Sequence, residues 1–362
     1  MRVPYVNLSQ QHAALEDELL EATRQVLRHG WFILGPEVKE LEQHFAHLLE
    51  VPHTVGVNSG TDALVLALKL HGVGEGDEVI TVSHSFVATA SAVCLVGATP
   101  VFVDIDPETM LMDPARLEGA LTPRTRAVMP VHLNGFPCDM EPIAAFCEAH
   151  GLALIEDCAQ SIGAMRAGKP VGSFGTGCFS LHPLKVLSAC GDAGFLTAHS
   201  DVEAETLHKL RNLGLRHRDS CQWVSGNSRL DTLQAALLLV KFKRLEAWIE
   251  ARNAHARAYR EALEGVVRLP PREGPGDRAV YSTFVVRHPE RERVIAALSE
   301  AGIDAKIHYP YGIHQHEAFA HLEHGPLPVT EEVVRQIISL PVTPEMTEAQ
   351  REHVIATLNA VA

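Results

Sequence analysis

Runs of basic residues are absent from the sequence, and acidic residues outnumber basic ones. The chain has 45 aspartates and glutamates against 31 lysines and arginines, which gives a formal net charge of -14. Proteins that follow a nucleic-acid backbone present lysine and arginine along one surface, because the phosphates must be neutralised. Nucleic acid is therefore a poor candidate partner.

Paired ligand motifs for a metal ion are also absent. None of the 21 histidines lies in an HExxH sequence, and the seven cysteines include no CxxC pair. The pairs His314 with His316 and His321 with His324 are more typical of a surface loop than of a zinc site. We therefore predict no metal. The odd number of irregularly spaced cysteines favours a reducing compartment, so we expect a cytoplasmic protein.

A signal sequence and a membrane-spanning run are absent as well. Residues 1–11 lack a basic segment followed by an apolar one. The longest apolar stretch, Ala92 to Val103, is short and is interrupted by Gly97 and Pro100. We therefore expect a protein that is neither exported nor embedded in a membrane.

The pattern of apolar residues indicates an α/β fold. The 362 residues, of which 46% are hydrophobic, are enough for two joined cores. After His53, short apolar runs alternate with helical segments, which is typical of βα units on a mostly parallel sheet. These runs are 54–57, 78–82, 100–103, 126–131 and 152–155. Strands at 178–181 and 194–197 follow without room for a crossover helix between them, so we expect a mixed sheet.

Segments whose apolar residues recur at helical spacing lie before and after the predicted sheet. A long helical pattern over 230–263 leads away from the sheet and is followed by a proline- and glycine-rich break at 270–276. We place the domain boundary in this helix, which predicts a large domain over 1–245 and a small α+β domain over 246–362. The other predicted elements are helices at 8–28, 37–49, 292–299 and 348–358 and strands at 280–287 and 305–309.

A glycine at a helix start is the first candidate site. Asn58-Ser59-Gly60-Thr61 follows a predicted strand and opens the helical segment 62–70. Free backbone N–H groups and the positive end of the helix dipole attract an anion there, and a glycine lets it approach. The structural alternative is an ordinary helix cap by Ser59 or Thr61, and the motif alone does not decide between the two.

Two further strand ends carry reactive side chains. Residues 155–160 form an apolar strand that ends in acids and an amide, and there Asp157 could hold a ring nitrogen protonated. A turn or cap is the alternative role for this aspartate. Residues 178–185 form a strand and a proline turn that end in Lys185, with the Ser180 hydroxyl before it. A lone lysine is normally only a solvated charge.

Together these three features match the needs of pyridoxal 5′-phosphate. The cofactor requires a phosphate site, a partner for its pyridine nitrogen and an amine that forms a Schiff base with its aldehyde. The helix start, Asp157 and Lys185 would supply them in that order. The combination is much more specific than any member, and it predicts a pyridoxal-phosphate enzyme with Lys185 and Asp157 as catalytic residues.

The same motifs resemble the DegT/DnrJ/EryC1/StrS family of sugar aminotransferases. The resemblance extends from Pro4 nearly to the C-terminus, and its matching segments are Trp31-Phe32-Ile33-Leu34-Gly35-Pro36, Ser59-Gly60-Thr61-Asp62-Ala63-Leu64, Glu156-Asp157-Cys158-Ala159-Gln160, Pro183-Leu184-Lys185, Gly191-Asp192, Asn227-Ser228-Arg229-Leu230-Asp231 and Ile307-His308-Tyr309-Pro310. It implies fold type I, the aspartate aminotransferase fold, with a mostly parallel mixed sheet and a small C-terminal domain. It also implies a homodimer whose active sites lie at the subunit interface.

The resemblance implies roles for matching residues. The expected phosphate contacts are Ser59, Gly60, Thr61 and Ser180, with Asn227 reaching the phosphate from the other subunit. Phe86 is expected to stack on the pyridine ring, and Gln160 to approach the ring hydroxyl. The expected substrate contacts are Asn134, His182, His308 and Tyr309. At His182, Asn134 and Val186 the chain departs from many relatives, which leaves the sugar contacts open.

The implied reaction is transamination. L-Glutamate would leave its amino group on the cofactor as pyridoxamine 5′-phosphate, and a keto sugar, expected to be nucleotide-linked, would take it up as an amino sugar. Two alternatives stay open: a pyridoxamine-dependent sugar dehydratase, in which a histidine replaces the lysine, and a regulatory protein that binds the cofactor without turnover. Lys185 argues against the first, and the intact set of Asp157, Gln160 and Lys185 against the second. The identity of the sugar and its aminated carbon are not revealed by the sequence.

Overall fold

The structure, a computed structural model, describes residues 1–362. Its α-helices are α1 (Leu8–Ala13), α2 (Glu16–His29), α3 (Pro36–Leu48), α4 (Gly60–Leu70), α5 (Ala88–Leu95), α6 (Leu117–Ala120), α7 (Met140–His150), α8 (Asp201–Leu210), α9 (Thr232–Phe242), α10 (Leu245–Leu263), α11 (Arg291–Glu300), α12 (Pro328–Gln336) and α13 (Glu348–Val361). None of these helices combines the length and the apolar composition needed to cross a membrane.

The strands form one large sheet and three small two-stranded sheets. They are β1 (His53–Val57), β2 (Glu78–Val82), β3 (Thr99–Val103), β4 (Thr125–Met129), β5 (Ala153–Asp157), β6 (Met165–Arg166), β7 (Lys169–Pro170), β8 (Thr176–Ser180), β9 (Gly194–Ala198), β10 (Leu215–His217), β11 (Ser220–Cys221), β12 (Phe284–Arg287) and β13 (Ile337–Leu340). Short 3-10 turns lie at Pro114–Arg116, Leu133–Gly135, Ile313–Gln315 and Glu317–Phe319.

The large sheet has seven strands in the order β1-β9-β8-β5-β4-β2-β3. The run from β3 to β8 is parallel throughout, whereas β9 is antiparallel to both of its neighbours. All five residues of β2 and of β9 are buried, as expected for strands covered on both faces. The predicted mostly parallel, mixed sheet is thus confirmed.

The connection between β5 and β8 is organised by a buried carboxylate. This connection contains the short β6–β7 hairpin and no crossover helix. Glu156 accepts main-chain hydrogen bonds from Gly172, Phe174 and Gly175 at 2.8, 2.9 and 2.8 Å. The His132 ring nitrogen Nε2 lies 3.1 Å from the same carboxylate. Burial alone would raise the pKa of Glu156, but these bonds hold it below its usual value. The ionised side chain therefore fixes the segment that leads into β8.

The hydrophobic core extends across the predicted domain boundary. The largest cluster, of 38 buried residues, contains Ile80 and Val128 from the sheet together with Phe284 and Leu358 from the C-terminal elements. Apolar area removed from water is the main favourable term in folding. The two predicted parts therefore share one core, and their division at residue 245 stays a prediction.

Several predicted elements differ from the structure. The predicted helices 8–28 and 230–263 are each two helices, separated at Ala14–Leu15 and at Lys243–Arg244. The predicted strand 305–309 is wrong, since only Lys306 pairs, in a single bridge to Ser339. Strand β12 begins at Phe284 instead of residue 280, and α12 and β13 were not predicted.

Candidate active site

The carboxyl ends of β5 and β8 meet the amino end of α4 at a cleft of about 390 Å³. Ligand sites of open α/β sheets lie at this edge of the strands. Of the predicted site residues, those that line the cleft are Ser59, Gly60, Thr61, Phe86, Asp157, Gln160, Ser180, His182, Lys185, His308 and Tyr309. Asn134 and Asn227 do not line it.

Asp157 ends β5 and is held by two hydrogen bonds. The hydroxyl of buried Thr89 donates to its Oδ2 at 2.7 Å, and the main-chain N–H of Ala159 donates to its Oδ1 at 3.2 Å. Ser85 Oγ lies 2.7 Å from the Thr89 hydroxyl. Because Thr89 gives its one proton to Asp157, Ser85 must be the donor in that pair. Burial raises the pKa of Asp157, while Thr89, the Ala159 amide and the charge of Lys185 act against the rise.

Lys185 stands on the turn that follows β8 and is half-buried. The turn is closed by its own N–H, which donates to the carbonyl of His182 at 2.8 Å. Burial lowers the pKa of Lys185, and the negative charge of Asp157 only partly restores it. A larger fraction of neutral amine follows, and only the neutral amine is nucleophilic.

We call the corner between the start of α4 and β8 the anion cradle, because the free N–H groups of a helix start attract an anion. Ser59 is the helix cap, since its hydroxyl accepts the Asp62 N–H at 3.0 Å, so the capping alternative holds for this residue. A Cβ atom added to Gly60 would lie 2.7 Å from Cβ of Ser180. Glycine is therefore required for the approach of the two segments. Thr61 and Ser180 line the same corner, which suits a phosphate group.

Aromatic and amide side chains form the facing side of the cleft. Phe86 is 51% exposed, which argues against a core-packing role. Its ring centroid lies 5.5 Å from that of Tyr309. The Gln160 amide donates to the Tyr309 hydroxyl at 3.2 Å, and its carbonyl accepts the Asn134 N–H at 2.8 Å. Burial raises the pKa of Tyr309, so the phenol stays neutral. The exposed Phe86 face is available to a flat ring.

The two histidines of the cleft differ in environment. Burial lowers the pKa of His308 to about 4, helped by the charges of Lys185 and Lys306. Its Nδ1 lies 3.0 Å from Ser339 Oγ, which fixes the ring. His308 is therefore a neutral hydrogen-bonding group at neutral pH. His182 is exposed.

The remaining two predicted residues lie outside the cleft. Asn134 is 4% exposed, and its side-chain oxygen accepts the hydroxyl of Thr283, which does line the cleft, at 2.7 Å. Asn227 is exposed and forms a β-bridge with Asn212. The sugar contact of Asn134 and the cross-subunit phosphate contact of Asn227 stay predictions.

Several lining residues were not identified from the sequence: Tyr5, Thr89, Asp192, Arg252, Ser282, Thr283 and Thr343. Thr89 was detectable in principle, because it stands in the same motif as Phe86, and the turn at the start of α5 brings its hydroxyl to Ser85. Arg252 had an indication too, since at the spacing of Ile249, Ala256 and Tyr259 it falls on the apolar face of α10.

A buried cluster of His132, Glu156 and Cys158 has metal-ligand chemistry, with ligand atoms within 4.8 Å of one another. Glu156, however, already accepts bonds from three main-chain N–H groups. The other nitrogen of His132, Nδ1, accepts the Cys138 N–H at 2.9 Å. The geometry is that of a hydrogen-bond network that fixes the end of β5.

A family profile of the DegT/DnrJ/EryC1/StrS aminotransferases matches residues 13–359. The chain belongs to this family. As a DegT/DnrJ/EryC1/StrS protein it is an aminotransferase, and the family uses pyridoxal phosphate. The predicted family and enzyme class are confirmed.

Individual DegT/DnrJ/EryC1/StrS relatives resemble the chain over nearly its whole length. The UDP-N-acetyl-3-dehydro-alpha-D-glucosamine 3-aminotransferase of Acidithiobacillus ferrooxidans is 44% identical over 96% of this chain and 95% of its own. The pleiotropic regulatory protein of Geobacillus stearothermophilus is 42% identical over 98% of this chain and 97% of its own. The crystal structure of S. venezuelae DesV, in complex with a ketimine intermediate, superposes with a TM-score of 0.96 at 39% identity and covers 99% of this chain and 98% of that chain. The predicted fold class is thereby confirmed.

Proposed function

We propose that the protein transfers an amino group from L-glutamate to a nucleotide-linked keto sugar and releases the amino sugar. The observation that carries the proposal is the meeting of three groups in one cleft: the Lys185 amine, the Asp157 carboxylate and the glycine-led start of α4. The Acidithiobacillus relative bears the name of a nucleotide-sugar aminotransferase, which supports the substrate class.

The residues of the cleft fit pyridoxal 5′-phosphate. The corner between Thr61 and Ser180 suits the phosphate, Phe86 the ring face, Asp157 the pyridine nitrogen and Gln160 the ring hydroxyl. When bound, the cofactor supplies an electron-withdrawing ring that stabilises negative charge on the substrate carbon. The Lys185 amine is the group to which its aldehyde would be joined.

Lys185 is proposed to transfer the proton that leaves the carbon of the amino donor. Its Nζ would take the proton from the α-carbon of the amino donor and deliver a proton to the sugar carbon in the second half of the reaction. Burial lowers the pKa of Lys185 and so favours the basic, neutral form. Asp157, kept ionised by Thr89 and the Ala159 amide, would hold a proton on the pyridine nitrogen.

His308 and Tyr309 are proposed to orient the substrate. Both stay neutral at neutral pH and both line the cleft, so they can hydrogen-bond to sugar hydroxyls without binding a charge. His182 is exposed, which suits a contact near the outer part of the substrate. The dehydratase alternative needs a histidine in place of the lysine, and the amine of Lys185 in the cleft favours the transaminase.

A homodimer with shared active sites is part of the proposal. Large apolar side chains that are exposed include Leu27, Trp31, Phe32, Leu213 and Val224. The main-chain carbonyl of Phe32 accepts the Thr232 N–H, so part of this surface adjoins the segment that contains Asn227. Adjacent exposed aromatic side chains such as Trp31 and Phe32 suit a subunit interface. Asn227 is exposed beside it and would be available to the partner's cleft.

A two-stage assay tests the proposal and its regulatory alternative. The cofactor-loaded protein is first mixed with L-glutamate, and about one equivalent of 2-oxoglutarate and of pyridoxamine phosphate is expected per cleft. The pyridoxal form is then mixed with a panel of nucleotide-linked amino sugars, and at least one should give a keto sugar by the reverse half-reaction. Lys185→Ala should do neither at a measurable rate. A loaded protein that yields no 2-oxoglutarate would favour the role named for the Geobacillus relative.

A further inference from the structure

Arg252 on α10 is a buried cation that forms no ion pair at contact distance, although the charge of Glu345 acts on it from farther away. The residue is 6% exposed and lines the cleft. Its Nη1 reaches only two main-chain carbonyls, those of Tyr281 at 3.2 Å and Ser282 at 3.4 Å. Its Nε is buried with no hydrogen-bond partner. A guanidinium has five N–H donors, so most of its capacity is unused.

The other buried arginines of the protein are paired. Arg211, 7% exposed, forms an ion pair with Glu42, and Arg287, 5% exposed, with Glu332 at 3.2 Å. Arg252 forms no such pair. Because an isolated buried charge is costly, the general pattern in proteins is to pair it. The unpaired guanidinium lines the cleft, where a ligand can supply an anion at contact distance.

The surroundings of Arg252 favour a small, singly charged anion. The cleft that Arg252 lines also presents the hydroxyl groups of Tyr5, Ser282 and Thr343, and its one other cation is Lys185, the residue proposed to hold the cofactor. One guanidinium balances one carboxylate, whose planar geometry matches its fork. A nucleotide diphosphate carries two or more negative charges and would need further cations.

We propose that Arg252 binds the carboxylate of the amino-acid donor. The inference rests on the proposed function, since it requires an amino acid to enter this cleft. An acidic group on the sugar would present the same chemistry, so the two half-reactions must be measured separately. The alternative role for Arg252 is purely structural: it holds the main chain at Tyr281, whose φ is 42°.

Substitution of Arg252 on the cofactor-loaded protein tests this proposal. The variants are Arg252→Gln and Arg252→Lys, and the matched control is Arg257→Gln, an exposed arginine of the same helix paired with Glu250. We expect Arg252→Gln to raise the glutamate concentration for half-maximal 2-oxoglutarate release by about 30-fold or more. Calorimetric binding of 2-oxoglutarate should weaken similarly, whereas the amino-sugar half-reaction and the control variant should stay within about threefold of the parent.

The possible outcomes separate this inference from the proposed function. Equal glutamate dependence in Arg252→Gln and Arg257→Gln would overturn the carboxylate site, as would an effect confined to the amino-sugar half-reaction. If the parent releases no 2-oxoglutarate from glutamate, the proposed function fails, but 2-oxoglutarate binding that depends on Arg252 would still support the site. A parent that does not bind 2-oxoglutarate at all would overturn it. Should Arg252→Gln fail to fold, Arg252→Lys keeps the charge without the fork, and about a tenfold loss of glutamate affinity is expected.

Discussion

Asp157 and Lys185 are ionisable groups whose charged forms are both disfavoured by burial. Burial raises the pKa of the aspartate and lowers that of the lysine, and each charge partly offsets the effect on the other. The lowered pKa of Lys185 favours the neutral amine, which is the form that can take a proton from the substrate. Both residues were predicted, because Asp157 ends a strand and Lys185 stands on the turn that follows one. The binding role of Arg252 could not be, because its missing partner is visible only in three dimensions.

Thr89 is the residue that should keep Asp157 ionised. We expect Thr89→Val, which keeps the side-chain shape and removes the hydroxyl, to weaken cofactor binding about tenfold, because a hydrogen bond to a charged group contributes about 1.5–3 kcal/mol. Ser85→Ala leaves the bond from Thr89 to Asp157 in place and should have a smaller effect. Fluorescence titration of the apo-variants with pyridoxal phosphate measures this. Unchanged affinity in Thr89→Val would show that Asp157 needs no such support.

The βα units were predictable because each buried strand is a short apolar run bounded by polar residues. The turns that divide α1 from α2 and α9 from α10 contain no glycine or proline, so helical spacing continues through them. Strand β13 follows α12 directly at Ile337, with no turn residue to mark the change. The position of β13 depends on its pairing with β12, which is distant in the chain. Such tertiary pairing cannot be predicted from the local sequence.

The approach of α4 to β8 is the element-level feature on which the anion cradle depends. In Gly60→Ala the new methyl group would lie 2.7 Å from Cβ of Ser180 and push the helix start away. We expect at least a tenfold loss of affinity for pyridoxal phosphate. Gly119→Ala, on α6 with no atom within 4 Å of the added Cβ, is the matched control and should bind like the parent. Equal affinities for the two variants, by equilibrium dialysis, would contradict this account of the cradle.

At the scale of the whole molecule, the buried interior contains a histidine, His84, that is neutral in the folded protein. Burial lowers the pKa of His84 to about 4, and the residue is 1% exposed, with Nδ1 3.2 Å from the carbonyl of Met110. The unfolded chain takes up a proton near pH 6.5, so the unfolded state binds more protons between about pH 6.5 and 4. The contribution of neutral His84 to the free energy of unfolding is therefore fully present above about pH 6.5. It is lost as the solution is acidified from about pH 6.5 to 4.

His84→Asn tests this dependence, because its amide can still donate to Met110. Between pH 7 and pH 5 the free energy of unfolding of the parent should fall by about 2 kcal/mol more than that of the variant. Urea unfolding at the two pH values measures both. A parallel loss in the two proteins would mean that His84 is protonated in the folded state.

The central claim is that Lys185 is the amine to which pyridoxal phosphate is joined. Borohydride reduction of the loaded protein, followed by digestion and mass spectrometry, tests it directly. We predict a phosphopyridoxyl group on Lys185 and none on Lys241, another lysine whose pKa is lowered by burial but whose Nζ donates to the Ser188 carbonyl at 2.8 Å outside the cleft. Label on a different lysine, or no label on a protein that retains the bound cofactor, would contradict the account.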